Sequence, residues 1–248
     1  MRLKNKVAIV TGAAHGIGRA IAERYSAEGA AVMVADIDDD AGTSLAASLA
    51  AGGGLAEFRH CDVGVRESVE AMVAVAARFT GRIDVLCNNA AYLGAFHGIL
   101  DASDEEWERC LNVQIRGTNS CTRAVLPYML EQSGGSIVNV VSIQAMVGCP
   151  TSVAYTTAKA ALLGLTLSVA YDYGPRNIRV NSLSPGPIQT RISPKPGEPA
   201  YEWQCGQTLL KRVGRVDEVA GAALFLASDE SSYVTGVNLA VDGGWTAQ

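Results

Sequence analysis

Short apolar runs alternate with longer stretches of helical period along the 248 residues. The runs at 7–11, 31–35, 56–61, 85–88, 136–141, 179–182 and 238–241 predict strands. Several are continuously apolar rather than alternating, as expected of strands covered on both faces. Between them, Val69, Met72, Val73 and Ala76 share one face of a helix over 66–79, as do Val216, Val219, Ala220 and Ala223 further on. Residues 152–174 predict another helix, with Ala158, Leu162, Leu165 and Val169 as its buried stripe. Regular strand–helix alternation implies a parallel sheet between two layers of helices, joined by right-handed crossovers. No repeat or long linker interrupts it, so one domain over 1–248 is expected. Five prolines (185, 187, 194, 196 and 199) make 185–199 the irregular stretch, unsuited to a helix or a central strand. A loop of that length in a compact domain is usually functional or disordered. It predicts an active-site lid over about 187–212, with a short helix near 200–210.

Composition narrows the function. Twenty Lys and Arg against 25 Asp and Glu give a net charge of −5, and no basic block occurs. Nucleic acid is therefore not the expected partner, since phosphate binding needs a surplus of cations. No apolar stretch approaches the ~20 residues of a membrane span, and the N-terminal run is too short for a signal-peptide core. The six cysteines form no C-x-x-C pair, so no metal site is expected, and they suit reduced thiols in a cytoplasmic protein.

Candidate chemistry begins where the first strand runs into Thr11-Gly12-Ala13-Ala14-His15-Gly16-Ile17-Gly18 and a helix follows. A pyrophosphate must approach backbone closely, with helix N-terminal N–H groups aimed at it. Gly12 permits the tight turn, Gly16 the close approach, and Gly18 the packing of helix on strand. Asp36 closes the second strand, where an acidic residue grips the adenosine ribose hydroxyls and repels a 2′-phosphate. Ile37 follows, then Asp38, Asp39 and Asp40, so NAD is the expected cofactor. His15 is the counter-indication, a basic group in the turn. Asp62 and Val63 end the third strand near the expected adenine, and Asn88-Asn89-Ala90 end the fourth.

Tyr155 and Lys159 lie four apart on the predicted 152–174 helix, hence on one face. Ser142 ends the fifth strand and faces the same crevice. A free phenol titrates near ~10, and bringing it to neutrality takes ~4 kcal/mol. A cation at ~5 Å and an effective dielectric of ~20 supplies ~3 kcal/mol, and the positive ring of oxidised nicotinamide beside it supplies the rest. Tyr155 is thus expected to carry a lowered pKa and to exchange a proton with a substrate hydroxyl, while Ser142 holds the substrate oxygen.

The ordered set Thr11 to Gly18, Asn88-Asn89-Ala90, Asn112, Ser142, Tyr155 with Lys159, and Pro185-Gly186 resembles the short-chain dehydrogenase/reductase family over essentially the whole chain. The resemblance implies a single-domain Rossmann fold with a doubly wound seven-stranded parallel sheet, and a homotetramer. It implies that Asn112 bends its helix around a water in a proton relay from Lys159. Ser142, Tyr155 and Lys159 would be catalytic, with Lys159 also on the ribose. Pro185, Gly186, Ile188 and Thr190 would line the nicotinamide side, Ile188 through its backbone. Ala91, where the family often has glycine, is the departure.

Tyr92, His97, Gln144, Cys149, Tyr201 and Trp203 are candidates to shape the substrate pocket. Gln144, two residues from Ser142, would meet a second hydroxyl, so the expected substrate is a secondary alcohol or ketone of sugar or polyol type. The alternatives are a 3-oxoacyl thioester reductase and, outside enzymes, a non-catalytic NAD sensor. The sensor would have no need of Asn112, Ser142, Tyr155 and Lys159 together.

Overall fold

The computed structural model describes residues 1–248. Seven strands form one parallel sheet: β1 Val7–Thr11, β2 Ala31–Asp36, β3 Ala56–His60, β4 Val85–Asn88, β5 Gly135–Val140, β6 Ile178–Pro185 and β7 Asn238–Val241. Their order is β3-β2-β1-β4-β5-β6-β7, so the chain winds one way from β1 and the other way from β4. The connections from β1 and β4 therefore diverge, and open a crevice at the carboxyl ends of those two strands.

Eight α-helices cover the faces: α1 Gly16–Ala27, α2 Asp39–Ala51, α3 Arg66–Ala77, α4 Asp104–Cys110, α5 Thr118–Glu131, α6 Val153–Tyr173, α7 Pro199–Gln207 and α8 Val216–Ala227. Alternation along the strands sorts the core into two layers. Ala8, Val10, Val32, Val34, Val138 and Val140 pack under α1, α2 and α8. Ile9, Met33, Leu86, Ile137 and Val180 pack under α3, α5 and α6. The predicted stripe Val69, Met72, Val73 and Ala76 is buried, as are Val219, Ala220 and Ala223. Tyr25 is fully buried and its hydroxyl donates to the Ala223 carbonyl at 3.1 Å, joining α1 to α8.

Two expectations change. Pro185 belongs to β6, where it pairs with Val241 of β7, and not to an irregular stretch. The N–H groups of Ser182 and Gly186 face β7, so the alternating Pro185 nitrogen faces β5, beyond its last pair Val140–Leu183. No ladder bond is lost there, and proline is tolerated. At the other end, Pro199 opens α7 in the first helical turn, where its missing N–H would have no partner anyway. On α6 the buried row is Ala154, Ala158, Leu162, Thr166 and Ala170, while Leu165 and Val169 are only partly buried. Thr166 breaks the apolar pattern because its hydroxyl accepts from Asn139 and Ser182 at 2.9 and 2.8 Å.

At the amino edge of the sheet, Asp84 is buried; its carboxylate accepts the Val7 N–H at 2.9 Å and an Arg82 N–H at 3.0 Å. Asp84→Ala would strand the Val7 N–H and lower stability by about 2 kcal/mol. Urea unfolding checks this: the midpoint falls at unchanged slope, and an unmoved midpoint refutes the role.

Candidate active site

The crevice is built outward from Thr11. Its hydroxyl donates to the Cys87 carbonyl at 3.4 Å and accepts the N–H groups of Asn89 and Ala90, both at 3.1 Å. The Asn89 amide donates to the Thr11 and Gly12 carbonyls at 3.0 and 2.9 Å. Asn89 thus braces the glycine turn. Gly12 (φ +63°) has the backbone of Ala90 2.8 Å from where a Cβ would sit, and a Cβ on Gly18 would strike the Gly12 carbonyl.

Gly16 is different. It has φ +52°, and the nearest atom to its missing Cβ is the Thr190 methyl, 3.4 Å away across the crevice. His15 precedes α1 without capping it by its side chain. The N–H groups of Gly16, Ile17 and Gly18 consequently find no acceptor in the chain, and neither does that of Ile188. Free helix-start donors beside a glycine that leaves backbone bare are what a pyrophosphate requires. The residues present fit a nicotinamide dinucleotide.

Asp36 accepts the Ala14 N–H at 2.8 Å and the Asp38 N–H at 3.1 Å, which fixes its carboxylate at the carboxyl end of β2. His15 is paired with Asp38 at 2.8 Å, and this pairing, with the Ala41 N–H, holds Asp38 below the usual carboxylate range. Ile37 is exposed. Asp62 is exposed and accepts the Gly64 N–H at 2.9 Å, while Val63 is buried against Gly117. Pro187 and Ile188 lead out of β6, and a bridge between Ile188 and Gly214 closes the base of the 187–212 segment. Gly186 packs on Asp242, and Thr190 is braced by Ser193 at 2.9 Å.

Asn112 lies in a π-helical turn, Leu111–Gly117, that joins α4 to α5, with its amide against Gly64. Ser142 follows β5 and accepts the Gln144 N–H at 3.2 Å. Tyr155 and Lys159 stand on α6, with the Lys159 ammonium 5.7 Å from the centre of the Tyr155 ring. Lys159 is 2% exposed and donates to the Val140 carbonyl at 2.7 Å.

The chain's own groups do not lower the Tyr155 pKa. Burial pushes the phenol up to about 12, and the neighbouring Ser142 hydroxyl only partly offsets it. Burial likewise pushes the Lys159 ammonium down to about 7. The attraction between the two groups is outweighed by their common desolvation. With no carboxylate against it, a buried ammonium is itself half neutral near pH 7 and has less charge to lend.

Among the pocket candidates, Gln144 accepts from Ser152 and Thr156 at 2.8 and 3.2 Å. Cys149 lies near enough to Tyr155 for its ionisation to raise the phenol. The Tyr92 ring is covered by the Arg109 guanidinium at 4.4 Å. Trp203, half exposed on α7, packs edge-to-face on Trp245 with ring centres 5.5 Å apart. Its ring packs on the C-terminal tail. Gln114 and the bracing role of the Thr11 hydroxyl were missed. Only Thr11 carried a signal, as the hydroxyl ending a strand that leads into a glycine turn.

A family model described as enoyl-(acyl carrier protein) reductase matches residues 12–246. The chain is 39% identical over 244 residues to a 3-oxoacyl-[acyl-carrier-protein] reductase of Thermotoga maritima, covering 98% of this chain and 99% of that one. It is 38% identical over 247 residues to a meso-2,3-butanediol dehydrogenase of Serratia marcescens, covering 100% and 97%. A crystal structure of a gluconate 5-dehydrogenase from Burkholderia cenocepacia, in complex with NADP and tartrate, superposes with a TM-score of 0.93 at 32% identity, covering 100% and 97%. Chain-long similarity, the parallel sheet and the glycine crevice agree: this protein is an oxidoreductase of the short-chain dehydrogenase/reductase family.

Proposed function

We propose that the chain interconverts a secondary alcohol and a ketone with NAD(H), Tyr155 being the acid/base. The convergence of Ser142, Tyr155 and Lys159 beside the glycine crevice carries this reading. When bound, the dinucleotide supplies the hydride acceptor or donor. Ser142 holds the substrate oxygen, and Tyr155 takes its proton in oxidation or returns one in reduction. Lys159 in its ammonium form would place positive charge near the phenol and hold the ribose, and Asn112 at the π turn would open a path for the proton to solvent. Residues 187–212 would close over the substrate.

The Burkholderia enzyme carries NADP, so the preference for NAD rests on this chain's own residues. The Asp36 carboxylate occupies the ribose end, and Asp38, Asp39 and Asp40 follow it. His15, the cation of the turn, is already paired with Asp38 at 2.8 Å. A 2′-phosphate would meet net negative charge, offset in part by Arg191, whose field reaches Asp38. Gln144 supports a polyhydroxylated substrate. Ser152 and Thr156 both donate to its carbonyl oxygen, which turns its NH₂ group into the free donor. That donor suits a second substrate oxygen. Similarity to the Thermotoga enzyme favours a second reading, reduction of a 3-oxoacyl thioester.

A panel of polyols, sugars, cyclic alcohols and 3-oxoacyl thioesters, followed by NADH absorbance with NADP in parallel, separates the two readings. Tyr155→Phe should abolish turnover, by about 10³-fold or more, with cofactor affinity kept. Retained turnover would exclude Tyr155 as the acid/base. Asp36→Ala should shift the ratio of kcat/KM toward NADP by about 100-fold, as a repulsion of roughly 3 kcal/mol is removed. An unshifted ratio would refute the ribose assignment.

The pKa directions give the sign of the pH dependence. Because the phenol is raised, its protonated form prevails at neutrality, and ketone reduction should be flat below about pH 7 and decline above it as Lys159 loses its proton. Oxidation needs the phenolate, so its kcat/KM should rise about tenfold per pH unit below about 7. Above that the slope should lessen as Lys159 loses its proton. Initial rates across the range check this, and a flat oxidation profile contradicts it.

A further inference from the structure

Residues 91–98, between β4 and α4, lie against the amino end of α6, and one buried carboxylate organises them. Glu106 is 8% exposed and stands three residues after Ser103, the N-cap of α4. A Ser-x-x-Glu start usually folds the glutamate back onto the N-cap nitrogen. Here only half of that exchange forms. The Ser103 hydroxyl accepts the Glu106 N–H at 3.2 Å, but the carboxylate leaves the helix. Its Oε1 accepts the Ala95 N–H at 3.1 Å, and its Oε2 meets Nδ1 of His97 at 2.8 Å.

The loop is shaped around this carboxylate. Gly94 has φ +79°, and Oε1 of Glu106 lies 2.7 Å from where a Cβ would sit. Phe96 has φ +58°, a conformation that a bulky side chain adopts only when its surroundings impose it. The His97 carbonyl then accepts the N–H of Val153 at 3.5 Å, two residues before Tyr155. At the start of the loop, Gln114 holds the Tyr92 N–H and carbonyl at 3.2 and 2.9 Å. One turn along from Glu106, Cys110 packs with Ala154 and Ala158, the neighbours of Tyr155 and Lys159. His97 and the Ala95 N–H hold Glu106 below the usual carboxylate range, so the clamp is ionised at neutrality.

We propose that Glu106 is a positioning residue for the substrate wall: by holding Ala95 and His97 it fixes the 91–98 loop on the first turn of α6, beside Tyr155. The proposal rests on the assignment of Tyr155 as the reacting group. A loop without ladder bonds of its own would otherwise sample many positions, and substrate would have to order it on binding. The signature is therefore in KM for the alcohol rather than in kcat.

The test uses the full-length enzyme and the alcohol it turns over best. Glu106→Ala should raise KM for that alcohol about tenfold, with kcat and KM for the dinucleotide within about threefold. Glu106→Gln, which keeps an acceptor for Ala95, should recover part of the loss. Amide hydrogen exchange over 94–98 should quicken about tenfold in Glu106→Ala while that of β1 and β4 is unchanged. His97→Gln alters a surface side chain and guards against a Glu106→Ala protein that does not fold; it should raise KM about threefold. Native KM in both His97→Gln and Glu106→Gln overturns the proposal, as does faster exchange with unaltered KM. If the native enzyme turned over no alcohol, the Tyr155 assignment would fall; loop exchange would then decide the clamp, native exchange in Glu106→Gln and His97→Gln overturning it and quickened exchange supporting it.

Discussion

A lysine ammonium buried without a carboxylate is the constraint around which this crevice is arranged. Taking such a charge out of water is unfavourable by several kcal/mol unless the protein replaces its hydration. Lys159 receives one strong replacement, the Val140 carbonyl at the end of β5. The remainder of the deficit appears as a pKa near 7 and, next door, as a phenol near 12. Both groups are held in their less charged forms, and a polar ligand entering the crevice would relieve both at once. Perturbation of this kind in a cleft marks a functional site more often than a structural one.

The sheet supplies the other half of the arrangement. Beneath the reacting groups, the apolar layer under α5 and α6 gives way to a buried polar one. Asn88 donates to Asn139 at 2.9 Å, Asn139 to Thr166 at 2.9 Å, and Ser182 to Thr166 at 2.8 Å. These bonds cross β4, β5, β6 and α6, so they lock the register of the strands that end at the crevice to the helix that carries Tyr155 and Lys159. Buried polar groups linked in this way specify one packing rather than adding much net stability.

The strands, the helix order and the glycine crevice were legible in the sequence because each rests on a local pattern: an apolar run, a 3.6-residue period, a glycine triplet between strand and helix. The family resemblance extended this to Asn112, which no local pattern singles out. What escaped depends on tertiary partners. Pro185 could join a strand because β5 stops short of it. Thr166 could replace an apolar residue because Asn139 and Ser182 meet its hydroxyl. The pKa of Tyr155 turned on desolvation, which spacing on a helix does not register. Trp203 found Trp245 more than 40 residues away.

The loops around the crevice share one construction. None has a ladder of its own, and each is fixed by a side chain that serves backbone groups. Thr11 and Asn89 hold the glycine turn. Ser193 gives its hydroxyl to the Ile188 carbonyl at 2.7 Å and takes the Thr190 N–H at 3.1 Å. Glu106 and Gln114 do the same for residues 91–98. The groups assigned to chemistry, by contrast, stand on a strand tip and on a 21-residue helix. Position is therefore set by rigid elements and access by pinned loops. Substitutions in the loops can then change which substrate enters while leaving the reacting geometry in place, which is how one sheet can serve relatives named for a butanediol, a gluconate and an acyl thioester.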